Sequence, residues 1–330
     1  MPHRTTLSEI SKALGLSIST ISKSLSNSPE ISEKTKRKVR DYATLCNYTP
    51  NNLAASFRRG FTNTIGLIIP NIINPFYAKV LVGIEKYLDE KGYKLITSIS
   101  DDSIVKETKN ISVMTSGYVD GVIICISKES ELKQSFGHIG AIVNNDIPLV
   151  MFDRICDEIS CDKVIIDDFK AAYKAVERLI LQMGCKHIIM TSPTKKLKHL
   201  NLRQKGFLAA IKNYKAIKGT VINADNSKEI NKKLFKTIRT DKSIDGIFSI
   251  NQKGVVKALL IKQEVEKTQK RILKIAGFSN NIQTSYDQFL ITVDQNASKI
   301  GKESAKLLLS RIKNSELETY STKTIAVKLI

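Results

Sequence analysis

Residues 7–25 read LSEISKALGLSISTISKSL, and their spacing decides how the N-terminal part of the chain folds. Thr6, Leu7, Ser8 and Glu9 form a capping-box sequence, in which the Thr6 hydroxyl takes an amide left free at the helix start and Glu9 reaches back. Leu7, Ile10, Ala13 and Leu14 then recur at helical spacing, and Gly15 supplies a left-handed stop. The pattern predicts a second short helix over Ser19–Leu25, with Ile21 and Leu25 inward. Ser32 is the expected N-cap of a third, Glu33 to about Asn47, with Val39, Tyr42, Ala43 and Cys46 inward. Three compact helices with a tight turn between the first two make a helix-turn-helix. The second helix of that motif enters the major groove of DNA with its N-terminal residues at the base edges. Here those residues are Ser17, Ile18, Ser19 and Thr20, with Ser22 and Lys23 one turn on. Hydroxyls reach phosphates or bases, the isoleucine suits a thymine methyl, and the ammonium suits guanine.

Working outward, Pro50 and Gly60 bracket a segment, 51–59, long enough for one or two helical turns but too short to hold a helix alone in water. From Thr64 onward the pattern alternates. Apolar strands are expected at 65–69, 94–99, 121–126, 148–152, 164–167, 187–191, 220–223, 246–250, 272–276 and 290–293. Amphipathic helices lie between them; the one over Phe76–Lys91 is expected to bury Phe76, Val80, Ile84, Tyr87 and Leu88. Such alternation implies parallel sheets covered on both faces. The length suits two lobes with a cleft between them, with a single closed barrel as the competing reading of the strand count.

Composition narrows the function. The 330 residues carry 52 Lys+Arg against 32 Asp+Glu, a net charge of +20, which favours polyanionic partners. Residues 1–60 hold ten basic against four acidic residues, and residues 186–239 hold fourteen against two, so pattern rather than charge density singles out the N-terminus. Five cysteines, with no Cys-x-x-Cys pair, give neither a disulfide framework nor a zinc site and fit a reducing cytoplasm. No apolar run reaches the roughly 18 residues of a membrane span, and no secretory signal is expected at the polar N-terminus. The loop Pro70–Pro75 lacks the glycines of a dinucleotide or phosphate cradle, and neither a Gly-x-Ser-x-Gly elbow nor His-Glu-x-x-His occurs. The four histidines are scattered, and His187, leading a strand, is expected to be structural. No catalytic residue, metal or cofactor is expected.

LSEISKALGLSISTISKSLSNSPEISEKTKRKV (7–39) and YTPNNLAASFRRGFTNTIGLIIPNIINPFYAKVLVGIE (48–85) resemble the LacI/GalR family of bacterial transcription regulators. The likeness continues through VDGVII, PLVMFDR, LRQKGFLAAI, IDGIFSIN and LITVDQNASKIGKESAKLLL, in that order, and so covers nearly the whole chain. The resemblance implies an α/β protein with a helix-turn-helix head (1–49), a hinge helix (50–61) and a core like the periplasmic sugar-binding proteins (62–330). Lobe 1 of that core is expected over about 62–160 and 294–330, and lobe 2 over about 161–293. The implied partners are a pseudo-palindromic double-stranded operator, a second copy of the chain, and a small effector such as a sugar, sugar derivative or other metabolite.

The family's DNA contacts fall on Ser17, Ile18, Ser19, Thr20, Ser22, Lys23, Ser32 and Thr35 in the head, and on Asn51, Ala54 and Phe57 in the hinge. Ser26 replaces a usual Asn, Lys23 a common Arg whose planar fork reads guanine more selectively, and Phe57 the leucine that wedges into the minor groove. Effector positions fall on Asn74, Phe76, Tyr77, Asp153, Arg203, Asn251, Ser279 and Gln295. Ser279 stands where the family often has Asp, and Gln252 follows Asn251 where Asp is frequent. Lys195, Lys196 and Lys198, just before Arg203, suit either an anionic effector or a solvated loop.

Overall fold

The computed structural model describes residues 5–48, 61–194, 197–224, 226–280, 288–314 and 319–330. The expected hinge, with Asn51, Ala54 and Phe57, lies outside them, as do Lys195 and Lys196. The chain divides into two compact units, residues 1–62 and 63–330.

The first unit holds α1 (Leu7–Leu14), α2 (Ile18–Leu25) and α3 (Glu33–Leu45). The capping box is formed: the Glu9 amide donates to Thr6 Oγ1 at 3.3 Å and the Thr6 amide to Glu9 Oε2 at 2.8 Å. Gly15 ends α1 at φ +64°, a left-handed turn that costs a glycine nothing. Ile10, Ile21, Val39 and Ala43 are the buried centre, with Leu7, Leu14, Leu16, Leu25, Tyr42 and Tyr48 packed around them. Cys46, expected to face inward, instead caps α3 and is only half-buried.

The second unit runs β1 (Thr64–Ile69), α4 (Pro75–Asp89), β2 (Lys94–Ile99), α5 (Ile104–Met114), β3 (Gly121–Ile124), α6 (Lys128–Lys133), α7 (Gly137–Asn144), β4 (Leu149–Phe152) and β5 (Asp162–Ile166). It continues through α8 (Asp168–Leu181), β6 (His187–Pro193), α9 (Lys198–Asn213), β7 (Lys218–Ala224), α10 (Ser227–Thr240), β8 (Gly246–Ser249), α11 (Gln252–Gln269), β9 (Lys274–Phe278) and β10 (Leu290–Asp294). Last come α12 (Ala297–Lys313), β11 (Thr322–Ile325) and β12 (Lys328–Leu329).

These strands form two open six-stranded sheets, ordered β11-β5-β4-β3-β1-β2 and β12-β10-β9-β8-β6-β7. All pairings are parallel except β10 with β12. Two open sheets exclude the barrel. β5 belongs to the first sheet, so the chain leaves that lobe after residue 166 rather than at about 160, and the final strand β12 closes the second sheet rather than the first. Among the described residues the chain passes between lobes at 167, at 295–296 and at 326–327. Alternation along β1 explains its all-apolar sequence: Ile65, Leu67 and Ile69 face the cluster under α4 and α12, and Ile68 faces the one under α5 and α7.

Helix α4 buries Phe76, Tyr77, Val80, Ile84 and Leu88, while Tyr87, expected inside, is only partly covered. Its partner is α12, and the two backbones nearly touch. A Cβ on Gly83 would lie 2.1 Å from the Ser298 carbonyl oxygen, and one on Gly301 would lie 2.1 Å from that of Val80. Gly301→Ala is therefore expected to destabilise the chain by about 2–3 kcal/mol through overpacking. Gly140→Ala on α7, where the nearest atom is 3.7 Å away, should be neutral or gain up to about 1 kcal/mol of helix propensity. Urea unfolding of the two variants side by side checks this; equal midpoints would refute the close approach.

Candidate functional site

Two regions carry polar groups that packing does not account for. The first is the exposed start of α2. Ser17 caps the helix, its Oγ accepting from the Thr20 amide at 3.1 Å and lying 2.8 Å from both Ser19 Oγ and Thr20 Oγ1. Ile18 is 48% exposed, whereas Ile21 on the same helix is fully buried. Ser32 repeats the device at α3, 3.0 Å from Thr35 Oγ1. The result is an exposed row of hydroxyls and one apolar side chain over two helix N-termini, whose free amides and dipoles favour phosphate. Lys23 is exposed and paired with Glu30; Ser22 is half-buried beside it.

The second region lies between the lobes. Ligands of open α/β sheets bind beyond the carboxyl ends of the strands, where the strand order reverses. All eight effector candidates lie there: Asn74, Phe76 and Tyr77 after β1, Asp153 after β4, Arg203 in the helix after β6, and Asn251, Ser279 and Gln295 after β8, β9 and β10.

On the first-lobe side, the Tyr77 hydroxyl donates to Asp153 Oδ2 at 3.4 Å and accepts from Arg154 Nη2 at 3.2 Å. Arg154 Nη1 also pairs with Asp102 at 2.7 Å. The Phe76 ring stands edge-on to Tyr77, centroids 5.1 Å apart. Cys125 Sγ lies 3.7 Å from the Tyr77 hydroxyl, and burial pushes its thiol up to about 12, so it packs as a neutral group. Burial also raises the Asp153 carboxyl above the usual range, while Arg154 and then Arg203 of the other lobe hold it back. Asp153 adopts φ +60°, a strained conformation that Asp tolerates better than most residues.

On the second-lobe side, Arg203 donates from Nε to Asp168 Oδ1 and from Nη1 to the Ile250 carbonyl, both at 2.7 Å, and its guanidinium lies 3.6 Å over the Phe278 ring. That fixes its fork and leaves Nη2 without a hydrogen bond among the described residues. Burial raises Asp168 to about 6 even though Arg203 pulls it down. Gln295 is tied to Asn280, whose Nδ2 donates to Gln295 Oε1 at 3.1 Å. Asn74 and Asn251 spend their side-chain oxygens as caps of α4 and α11. The lobes also touch: Lys79 donates to the Asn280 carbonyl, and Lys198 Nζ donates to Asp157 at 2.6 Å. The ammonium of Lys198 is thus already committed to a carboxylate.

Arg154, Asp168, Asn280 and His199 belong to this region but were not singled out by the sequence. His199 is held well below the ordinary imidazole range by burial and then by Arg203 and Arg154, and among the described residues its Nδ1 has no hydrogen-bond partner. Neither have Arg154 Nε, Ser192 Oγ, Gln252 Oε1 and Ser279 Oγ, all at or just beyond strand carboxyl ends. Leaving such a group buried and unpaired costs about 1–3 kcal/mol.

Hydrolytic chemistry finds no support in the nearest Ser-His-Glu grouping. Ser130 Oγ and His138 Nε2 both bond the same Glu107 oxygen, at 2.7 and 2.6 Å, so the base does not stand between nucleophile and carboxylate. His187 is structural, bonded to Ser243 and Thr220 at 2.8 Å each. Among the described residues no group of three His, Cys, Asp or Glu can hold a metal, and no helix is long and apolar enough to cross a membrane.

Comparison with known proteins agrees with this division. Residues 6–51 match the family described as bacterial regulatory proteins, lacI family, and residues 65–316 match the periplasmic binding protein domain. The HTH-type transcriptional regulator DegA of Bacillus subtilis is 36% identical over 177 residues, 54% of this chain and 52% of that one. The sucrose operon repressor of Pediococcus pentosaceus is 28% identical over 98% of this chain and 97% of its own. A LacI family transcriptional regulator from Enterococcus faecium, solved with bound ribose, superposes with a TM-score of 0.66 at 26% identity, covering 81% of this chain and 96% of that one.

Proposed function

The chain belongs to the LacI/GalR family of bacterial transcription regulators, and from that premise we propose how it divides the work. Residues 1–49 read a pseudo-palindromic operator as part of a homodimer, and a small polar metabolite held between the core lobes sets operator affinity. The family is a non-catalytic class. The observation that carries the effector half is the set of buried polar atoms with no partner among the described residues, Arg154 Nε, His199 Nδ1, Gln252 Oε1 and Ser279 Oγ, beyond the strand ends of both lobes. A ligand offering both hydroxyls and acceptors satisfies donors and acceptors together, with Phe76 and Tyr77 against its apolar face. Ribose in the Enterococcus faecium relative makes pentoses the first probes. With Ser279 in place of a carboxylate, neutral acceptors replace a charged one on the second-lobe side.

Mechanistically, the interlobe passages act as the hinge of the core. A ligand that touches both lobes favours one closure angle, and in the dimer that angle sets the separation of the two reading heads. Operator affinity follows through differential stabilisation of one state.

A thermal-shift screen of pentoses, hexoses, sugar phosphates and nucleobases tests the effector half: a true ligand raises the melting temperature by mass action and changes the operator mobility shift at the same concentrations. In the head, Lys23 must leave Glu30 to reach DNA, and an exposed pair of this kind contributes only about 0–1 kcal/mol. Glu30→Gln, which frees Lys23 and removes a negative charge facing phosphate, is expected to tighten operator binding by roughly threefold, and Lys23→Ala to weaken it. Fluorescence anisotropy on labelled operator at fixed salt reads both; weaker binding by Glu30→Gln would take Lys23 out of the interface.

A further inference from the structure

A cavity of about 310 Å³ opens at the lobe boundary, walled by Glu131 and Gln134 of the first lobe, the Asp157–Glu158 turn, and Lys198 and Asn201 at the start of α9, with an apolar floor of Phe136, Ile155 and Cys156. None of the eight effector candidates lines it. We infer that this cavity binds a small organic cation, an aliphatic amine or diamine, through Glu131 and Glu158.

The charge balance of the cavity runs against that of the chain. In a chain of net charge +20, the described residues of this wall present three carboxylates against one ammonium, and the Lys198 ammonium is spent on Asp157 at 2.6 Å. Glu131 carries the unmet demand. It is only 6% exposed; Oε1 accepts from the Lys198 amide, and among the described residues Oε2 has no hydrogen-bond partner. A buried carboxylate oxygen without a donor is costly, and burial has raised the Glu131 carboxyl above the usual range although the Lys198 amide and the charges of Arg154 and Lys198 pull it down. An ammonium supplies up to three donors for that oxygen together with a further positive charge.

The spread of the carboxylates favours an organic cation over a metal. Among the described residues no three carboxylates, histidines or cysteines converge closely enough to hold an ion. The carboxylates are dispersed around an apolar floor, which suits charged nitrogens on a short methylene chain whose carbons lie on Phe136 and Ile155. Because the walls come from both lobes, with Lys198 bridging to Glu131 and Asp157, an occupant also fixes the lobes against each other.

Isothermal titration of the full chain with 1,4-diaminobutane, and with 1,4-butanediol as the uncharged control, tests the inference. Saturable binding of the diamine and none of the diol is expected. Glu131→Gln should weaken diamine binding by about tenfold or more and Glu158→Gln by about threefold, in line with losing a charge-assisted contact. Glu158 is exposed, so its variant decides the matter should Glu131→Gln fail to fold. No saturable binding of the diamine at millimolar concentration, equal binding of the diol, or undiminished affinity in the variants would each overturn the site. The metabolite screen of the interlobe cleft uses other ligands and other residues, so either result can fail while the other stands.

Discussion

A fragment comprising residues 62–330 is expected to keep its fold and lose operator binding by about three orders of magnitude or more, the usual margin between specific and non-specific affinity. The head buries Ile10, Ile21, Val39 and Ala43 in a cluster that shares no residue with the three clusters of the core, so deleting it opens no cavity there. The exposed hydroxyl row and Ile18, by contrast, leave with it. The full chain should show a steep linear fall of log affinity with log salt, because a head that neutralises phosphates releases their counterions. The strongly basic stretch 186–239 is the control within the molecule. If its fourteen basic residues carried the affinity, the fragment would shift operator DNA as tightly as the full chain, and assignment to the head would be wrong. Mobility shifts of both proteins on the same operator, across a salt series, decide between them.

That assignment was legible because the head is built from local signals. A capping box, a glycine stop and an i, i+3, i+4 apolar pattern all act within one or two turns, and α1 and α3 begin where those signals put them, with α2 starting one residue early. The core strands were legible for a related reason: strands buried on both faces read as apolar runs. β11 and β12 were not. TKTI and KL are short edge strands with only Ile325 buried, too little apolar pattern to mark them, and only pairing with β5 and β10 makes them strands. Periodicity also placed Tyr87 inside α4 where Tyr77 is, because both lie within a wide helical stripe and only the Asp153 and Arg154 contacts choose between them. The same limit applies to the cleft. Arg154, Asp168 and His199 carry no local motif; their meaning comes from partners far away in sequence, Asp102 for Arg154 and Arg203 for Asp168.

The Arg203–Asp168 pair gives the second large expectation, and it separates recognition from stability. Arg203→Ala should weaken any cleft ligand by about 2–3 kcal/mol, on the order of a hundredfold, the loss of a charge-assisted contact from a preorganised fork. It also strands Asp168, which is largely buried, and breaking a buried pair from one side costs about 3–5 kcal/mol. The pH dependence of that deficit has a definite sign. In the parent, burial sets Asp168 at about 6 with Arg203 holding it down from a higher value; without Arg203 the carboxyl rises further. Below the unfolded carboxylate range both proteins carry a neutral Asp168 and the electrostatic part of the deficit vanishes. As pH rises through about 6 the parent ionises against its guanidinium, the variant does not, and the gap widens toward pH 8. Replacing both partners, Asp168→Asn with Arg203→Met, removes the stranded charge and should recover much of the stability, since an apolar or neutral substitute for a buried pair is often tolerated. It should leave ligand affinity as low as in the single variant. Melting curves at pH 5 and pH 8, together with titration by a ligand from the metabolite screen, measure both quantities on the same proteins. A double variant that regained ligand affinity along with stability would show that Arg203 only supports the cleft and does not touch what binds there.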